Sequence, residues 1–348
     1  MWVDEVNKSG GIYVKEFDKK LPIELKIYDD TSDLGTMTRL LEKLMVEDKV
    51  DFILPPVSTA FLYAAAPIAN KHGYILMGAE GGSASLNVSL ASMPYFFSIL
   101  NHSEHQVPVL VDVLAKGGVK KAAVIFISDL HGVEYSGAAL PQLALAGIDV
   151  VFSKSVPPGI TDLSPILKEA MKEDVDAFLA FVYPDEGFLA LKQATELGFA
   201  PDVFLLGPGA NFEFFKHAFG KASEGIMSWG AWNEKTSPAA AEFAKRFVAF
   251  TGKRENIDWW GHLPYYASLQ VLQQAIERTG TINHAKLAEC IRNEEFDTVL
   301  GKTRFANGTL AAECYTGQLG QWQNGVFEVI GPDNKATAKP VIPRKVGP

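Results

Sequence analysis

Two hydrophobic periods alternate along the chain. Apolar residues between Met37 and Leu44 recur on one helix face, whereas apolar runs such as 121–127 have the length of a buried strand. This alternation is typical of α/β proteins with parallel sheets. The pattern predicts helices around 2–7, 37–44, 103–117, 237–251, 263–280 and 284–293, and strands over 21–30, 50–54, 73–78, 121–127, 148–152, 175–182 and 203–207.

The two halves of the chain share one local pattern. Residues 47–54 and 173–179 each end an amphipathic helix and start an apolar strand, which suggests two lobes of the same design. Near the C-terminus, the run 318–330 predicts a hairpin around Asn324-Gly325, a dipeptide favoured in two-residue turns. The proline-containing residues after the hairpin predict an extended tail.

The stretch from Val50 to Ala60 places a strand, a turn with two prolines and a helix start in succession. Ser58 or Thr59 is a suitable helix cap, and the amides of the first helical turn would point out of the carboxyl end of the strand. Ligands of open α/β sheets bind at that edge, and a helix N-terminus with two hydroxyls suits a carboxylate. An ordinary capped helix would show the same local pattern.

Length and charge narrow the class of protein. A chain of 348 residues predicts two domains, and its net charge of -9 argues against nucleic-acid binding. No apolar run reaches the roughly 18 residues that a membrane span needs. The residues after Met1 are acidic and lack the apolar core of a signal peptide.

Motifs for catalysis and metal binding are missing from the sequence. There is no nucleophile elbow, phosphate-binding loop or zinc-protease motif, so no catalytic residue and no cofactor is predicted. His102 and His105 have helical spacing but no evident third ligand, so no metal site is predicted. Cys290 and Cys314 match no metal motif and fit either buried thiols or one disulfide.

Binding is better supported than catalysis, because polar or aromatic residues follow strand ends in both halves. If the strands of each lobe are parallel, these loops share one edge, and two facing edges would form a cleft for a small ligand. His131 and Tyr183 also fit structural roles, and the tryptophans at 229, 232, 259 and 260 fit a core better than a ligand platform. The loops contain Ser58 and Thr59, residues 80–83, His131, Tyr183 and residues 207–209.

Several stretches, taken in order, resemble the type I periplasmic solute-binding proteins, and specifically the branched-chain amino acid (Leu/Ile/Val) binding family of ABC transporters. The resemblance covers nearly the whole chain. It implies an α/β fold of two Rossmann-like, doubly wound lobes joined by a hinge of crossover segments. The stretches that carry it are 7–12, 28–33, 50–59, 65–69, 130–132, 161–164, 296–301 and 317–330.

The resemblance implies that lobe one holds 1–99 and 229–307, and that lobe two holds 100–228 and 308–348. It implies a monomeric, periplasmic protein that binds a small carboxylate or amino acid-like ligand in the interlobe cleft and delivers it to a membrane permease. A sensor or regulatory binding protein of the same fold is the alternative, and an enzyme comes third. The ligand-binding residues that it implies are Ser58, Thr59, Glu80, Gly81, Gly82, His131, Tyr183, Pro184 and Gly209.

Three features depart from the family pattern. Gly209 stands where amino-acid binders place an acidic residue for the ligand ammonium, which makes a small carboxylate ligand the preferred expectation unless Glu80, Asp185 or Glu186 substitutes. Gly82 offers only a backbone amide where a hydroxyl is expected. The family also begins with a strand before its first helix, whereas this chain begins within that helix. Either the start is truncated or miscalled, or lobe one lacks a central strand, which would expose a sheet edge.

Overall fold

A computed structural model describes residues 1–82, 84, 86, 89, 92–100 and 102–345, and the chain divides into two compact units. Unit 1 holds 1–101 and 261–315, and unit 2 holds 102–260 and 316–348. The chain passes from unit 2 to unit 1 after residue 260 and returns after residue 315, whereas the expected crossings are at 228/229 and 307/308. The first crossing is later because the Trp259 region belongs with unit 2, where the Trp259 indole N–H donates to Glu213 Oε2 at 2.8 Å.

The secondary structure alternates as the sequence predicts. The named helices are α1 Trp2–Lys8, α2 Leu34–Val46, α3 Thr59–His72, α4 Ser103–Lys116, α5 Leu130–Leu145, α6 Ser164–Met171, α7 Pro184–Leu197, α8 Glu213–Phe219, α9 Pro238–Thr251, α10 His262–Thr279 and α11 His284–Asn293. The named strands are β1 Ile12–Val14, β2 Lys19–Leu21, β3 Leu76–Gly78, β4 Phe96–Ser98, β5 Lys121–Ile127, β6 Asp149–Val156, β7 Ala177–Phe181, β8 Val203–Leu206, β9 Met227–Trp229, β10 Phe296–Thr298, β11 Gly301–Thr303, β12 Phe305–Ala306, β13 Thr309–Leu310, β14 Leu319–Gln323 and β15 Val326–Gly331.

Unit 2 is built on a seven-stranded sheet with the order β15-β14-β9-β8-β7-β5-β6. Strands β5 to β9 are parallel, and β14 and β15 form an antiparallel hairpin on β9. In chain order, the parallel part runs 2-1-3-4-5, so the connections change direction between β5 and β7. Ligands of doubly wound sheets bind at the carboxyl ends of the strands that flank this switch point.

The prediction for unit 2 is accurate because its central strands are buried on both faces. The strand predicted over 121–127 has the bounds of β5, and every residue of β7 and β8 is buried. The Asn324-Gly325 turn is confirmed as well. Both of its residues have positive φ, 51° and 73°, as a type I′ turn requires.

The sheet of unit 1 is smaller and has the order β12-β13-β4-β3, accompanied by the separate hairpins β1-β2 and β10-β11. Two predicted strands are wrong. Of 21–30, only Leu21 lies in a strand, and 50–54 contains no strand residue. An extended segment becomes a strand only by pairing its backbone. In the first segment, Leu25 and Ile27 are 50% and 80% exposed. The second segment, 50–54, does not pair with β3, which is the outer strand of its sheet.

Side chains satisfy part of the backbone around these two segments. Ile23 exchanges both of its backbone hydrogen bonds with the Asn7 side chain at 2.7 and 2.8 Å. The Asp51 carbonyl contacts His284 Nε2 at 2.9 Å, and the Val50 carbonyl accepts from the Tyr74 hydroxyl at 2.8 Å. Among the described residues, the backbone of 52–54 makes no hydrogen bond. The segment 50–54 therefore has the hydrophobic pattern of a strand but lacks the backbone hydrogen bonds of a sheet.

The helix predictions are largely confirmed, with one shifted start. Helix α3 begins at Thr59 with Ser58 as its cap, as predicted. Helix α5 begins at Leu130, so His131 lies inside the helix rather than in the loop before it. Cys290 and Cys314 are free thiols, which settles the alternative between thiols and a disulfide. None of the described helices combines the length and apolarity needed to cross a membrane.

Gly132 lies where helix α5 leaves the end of β5. A Cβ atom at this position would approach the Ile127 carbonyl oxygen to 2.1 Å, whereas one at exposed Gly137 in the same helix would meet nothing within 4 Å. We expect Gly132→Ala to destabilise unit 2 by about 2 kcal/mol or more through overpacking. Gly137→Ala should stabilise it by roughly 0.5–1 kcal/mol through the higher helix propensity of alanine.

Urea unfolding followed by circular dichroism measures both effects. The two variants are matched controls, since each adds one methyl group to the same helix. Equal changes in unfolding free energy would contradict the close packing of α5 on β5.

His102 lies at the start of α4 with 1% of its surface exposed, and burial lowers its pKa to about 3. The unfolded chain therefore takes up a proton near pH 6.5 that the folded chain refuses. Stability is full above pH 6.5 and falls as the pH drops toward 3, at up to about 1.4 kcal/mol per pH unit for this group.

We expect His102→Gln to reduce the slope of unfolding free energy against pH between 6.5 and 5. This window lies above the titration of most carboxyl groups. His217→Gln removes an exposed histidine of the same unit and serves as the control. Equal slopes for wild type and His102→Gln would show that folding does not lower the pKa of His102.

Candidate functional site

The candidate site of unit 1 lies at the start of α3. Thr59 is the first residue of this helix and is 1% exposed, and its Oγ1 has no hydrogen-bond partner among the described residues. The backbone N–H groups of Thr59 and Ala60 also make no hydrogen bond to the described residues. A hydroxyl and two amides at a helix N-terminus form a set of donors suited to an anion.

Ser58 connects this helix start to the loop after β3. Its N–H donates to the Glu80 carbonyl at 3.0 Å, and its Oγ accepts from the Phe61 N–H at 3.4 Å. Ser58 has a φ of 85°, which is uncommon for a residue with a side chain. Strained backbone of this kind is frequent at ligand sites. Ser58, Thr59 and Glu80 are thus brought together.

Gly81 and Gly82 continue this loop and are both buried. A Cβ atom at Gly81 would lie 2.5 Å from Leu62 Cδ1 and 3.3 Å from the Ser58 carbonyl oxygen. The glycine therefore lets the loop lie directly on α3. Ser83, the next residue of the predicted loop, lies outside the described residues.

Glu80 belongs to unit 1 and lies close to Tyr265 of helix α10. Burial, together with the charge of the Glu80 carboxylate, raises the pKa of the Tyr265 hydroxyl above its ordinary value. Tyr265 was not among the predicted residues, because it is far from Glu80 along the chain. Because the Glu80 carbonyl accepts from the Ser58 N–H, the pair belongs to the loop that contacts the start of α3.

The candidate site of unit 2 lies at the switch point of the sheet. His131 follows β5, and its ring stacks on that of Tyr183, which follows β7, with ring centroids 5.1 Å apart. Asp129 fixes both elements, since one carboxylate oxygen accepts from the Gly132 N–H at 3.0 Å and the other from the Tyr183 hydroxyl at 2.8 Å. The predicted pair is therefore held by a residue that the sequence did not single out.

His131 is neutral in this position. It is 4% exposed, and burial lowers the pKa of its imidazole to about 4, although the nearby Asp129 carboxylate opposes the shift. Its Nε2 has no hydrogen-bond partner among the described residues. A neutral imidazole can donate or accept one hydrogen bond at that nitrogen, depending on its tautomer.

Gly209 lies against Pro184 and completes the predicted group in unit 2. Its φ is 126°, and a Cβ atom there would come within 2.9 Å of Pro184 Cα. An acidic side chain is therefore excluded from this position by the backbone and by Pro184. Glycine at position 209 is thus the residue that the local backbone and Pro184 require.

The acidic residues considered as substitutes for position 209 differ in their surroundings. Asp185 is exposed, and Glu186 is buried and accepts from the Gly159 N–H at 2.8 Å. Glu80 belongs to unit 1. Glu186 therefore has a structural role already.

Three buried residues of unit 2 were missed by the sequence prediction. The Tyr135 hydroxyl donates to Gln106 Oε1, and the Tyr135 ring lies 5.1 Å from that of Trp229 and 4.6 Å from that of His131. The one available signal was the spacing of Tyr135, four residues after His131 and so on the same helix face. Gln106 and Trp229 carried no sequence signal that distinguished them from core residues.

The described residues contain no cluster of three or more histidine, cysteine, aspartate or glutamate side chains that could hold a metal ion. Glu104 lies 4.0 Å from His102 Nδ1 and 3.9 Å from His105 Nε2. The two histidines therefore share a carboxylate neighbour.

Known proteins resemble this chain over most of its length. A sequence profile described as periplasmic binding protein matches residues 1–325. The leucine-, isoleucine-, valine-, threonine-, and alanine-binding protein of Pseudomonas aeruginosa is 25% identical over 312 residues, which cover 88% of this chain and 79% of that protein.

Solved structures show the same fold at low identity. The leucine binding protein LivK from Thermotoga maritima superposes with a TM-score of 0.81 at 23% identity, covering 95% of this chain and 93% of that one. A solute binding protein of an ABC transporter from Rhodopseudomonas palustris, in complex with 3,4-dihydroxy benzoic acid, gives 0.77 at 19% identity, covering 96% and 89%. The expected α/β fold class is confirmed. The chain belongs to the periplasmic binding proteins, as a type I member of the branched-chain amino acid family.

Proposed function

We propose that this chain is the solute-binding protein of an ABC importer and that it binds a small carboxylate or amino acid-like ligand. The observation that carries the proposal is the buried Thr59 hydroxyl, which has no partner among the described residues and lies at a helix start. A buried polar group without a partner is costly, typically by about 1–3 kcal/mol. A ligand oxygen that accepts from Thr59 removes this cost.

Unit 1 would hold the carboxylate. The Thr59 hydroxyl and the amides of Thr59 and Ala60 supply donors, and the α3 dipole favours negative charge at this end of the helix. Ser58 and the loop at Glu80-Gly81-Gly82 set the position of the helix start, because the Ser58 N–H is bonded to the Glu80 carbonyl. A neutral or cationic ligand group would gain less here.

Unit 2 would contribute His131, Tyr183, Pro184 and Gly209 to the same ligand. The stacked rings of His131 and Tyr183 present an aromatic surface, and Pro184 and Gly209 add backbone and apolar contacts. Such a surface suits the aliphatic or aromatic body of a small acid. The mechanism has no chemical step, and affinity depends on how well the desolvated polar groups are paired.

The ligands of similar proteins support a carboxylate as the shared feature. The names of the relatives include branched-chain amino acids, and one structural neighbour holds a dihydroxybenzoic acid. These compounds differ in their bodies and in whether they carry an ammonium, but all contain a carboxyl group. We propose a periplasmic location, delivery to a membrane permease and a monomeric state on the same family basis.

Thr59→Val tests the carboxylate site. Valine keeps the shape of threonine and removes a hydroxyl that makes no hydrogen bond within the described residues, so stability should change little. Affinity for the bound acid should fall by about tenfold, the worth of one hydrogen bond of about 1.4 kcal/mol. A thermal-shift screen of carboxylates and amino acids identifies the ligand first, because a ligand at 100 times its dissociation constant adds about 2.7 kcal/mol.

Thr281→Val is the matched control in the same unit. The Thr281 hydroxyl donates to Glu16 and is also bonded by the Asn283 N–H, so its loss should reduce stability by about 1 kcal/mol and leave affinity unchanged. Isothermal titration measures the affinity, and urea unfolding measures the stability. Unchanged affinity in Thr59→Val would show that the start of α3 does not bind the carboxylate.

His131→Ala tests the contribution of unit 2 to the same ligand. The substitution removes the ring that stacks on Tyr183, and affinity should fall about tenfold or more. His217→Ala removes an exposed histidine of unit 2 and should bind like the wild type. If Thr59→Val weakens ligand binding and His131→Ala does not, the His131 ring does not contact the ligand.

A further inference from the structure

Four buried side-chain nitrogen atoms of unit 2 have no hydrogen-bond partner among the described residues, and three of the four lie around one side chain. These three are Gln106 Nε2, Trp229 Nε1 and His131 Nε2. All three side chains surround Tyr135, which donates its hydroxyl to Gln106 Oε1 and packs against the other two rings. Buried polar groups are nearly always hydrogen-bonded in folded proteins. Three unpaired nitrogens around one side chain therefore indicate a place where a ligand binds.

The position of this cluster is that of a ligand site. Trp229 ends β9, and His131 follows β5, so both lie at the carboxyl edge of the parallel strands. Gln106 lies in the first turn of α4, and its side chain is fully buried. The cluster therefore adjoins the stacked pair of His131 and Tyr183 described above.

The chemistry of the cluster restricts what can bind to it. An indole N–H and an amide NH₂ group can only donate, so their partner must be an acceptor. An ammonium also only donates, and it would leave both Gln106 and Trp229 unpaired. An α-amino group therefore does not satisfy this part of the site.

A second carboxylate is also disfavoured. Gln106 and Trp229 are uncharged, and a buried anion needs a cation or several strong donors to offset its desolvation. Burial raises the pKa of the Tyr135 hydroxyl, and the negative charge of the nearby Glu104 carboxylate raises it further. That carboxylate would repel a second anion. An uncharged oxygen, such as a hydroxyl, an oxo group or a phenol, fits the cluster best.

We propose that Gln106, Trp229 and His131 form a donor subsite for an uncharged oxygen of the ligand, so that the solute is a hydroxy, oxo or phenolic acid rather than an α-amino acid. The inference rests on the proposed function, since it assigns the class of the acid that unit 1 holds by its carboxylate. Neither Gln106 nor Trp229 belongs to the set of residues implied by the family resemblance.

Matched ligands that share one carbon skeleton test the class. Isothermal titration compares leucine, leucic acid, ketoleucine and isocaproate, then phenylalanine, phenyllactate, phenylpyruvate and phenylpropanoate, and finally dihydroxybenzoate and benzoate. In at least one series, the oxygen-bearing acid should bind about tenfold more tightly than the plain acid and than the amino acid, which corresponds to one additional hydrogen bond.

Trp229→Phe tests the residue. It keeps an aromatic ring and removes the indole N–H, so the oxygen-bearing acid should lose about tenfold in affinity while the plain acid stays within about twofold. Trp322→Phe is the matched control, because the Trp322 indole is also fully buried but already donates to the Ala210 carbonyl at 2.6 Å. It should lower the melting temperature more than Trp229→Phe does and leave the ligand ranking unchanged.

The outcomes separate the two proposals. An amino acid that binds as tightly as its hydroxy and oxo counterparts overturns the donor subsite and leaves the proposed function standing. Equal losses for the plain and the oxygen-bearing acid in Trp229→Phe also overturn it, because the indole N–H would then not contact the added oxygen. If no acid or amino acid of the panel binds to the wild type, the proposed function itself fails, and the subsite fails with it.

Discussion

Hydrogen-bonding groups that are buried without partners are the constraint on which the functional interpretation depends. The Thr59 hydroxyl in unit 1 and the Gln106 and Trp229 nitrogens in unit 2 are inaccessible to solvent and unpaired within the described residues. A folded chain retains few such groups, because each one gives up its hydrogen bonds to water on folding. The start of α3 is bonded to the loop after β3, and Trp229 ends β9, so these groups lie near the strand ends where this architecture binds ligands.

The pairing of backbone hydrogen-bonding groups explains why the sheet of unit 2 is larger than that of unit 1. In unit 2, each central strand finds a neighbour on both sides, and the ladder extends across seven strands. In unit 1, β3 is the last strand at its edge, and the apolar segment 50–54 lies without a ladder of its own. The helix start at Thr59 is nevertheless well defined, because Ser58 and the loop at Glu80 hold it by direct backbone and side-chain bonds.

The sequence was sufficient where structure is determined locally or by burial on two faces. The apolar run 121–127 predicted β5 with its correct bounds, and Ser58 predicted the cap of α3. The sequence was insufficient for 21–30 and 50–54, since a strand depends on a partner that local pattern does not reveal. It was also insufficient for Gln106 and Trp229. A glutamine in a helix and a tryptophan in a strand look ordinary until the three-dimensional structure shows that their donors are unpaired.

Gly209 illustrates how two distant positions can restrict one another. Its backbone conformation and its contact with Pro184 leave no room for a side chain. An acidic side chain at position 209 would therefore require a change at position 184 and in the local backbone at the same time. The two positions are coupled, so the effect of a substitution at one of them depends on the residue at the other.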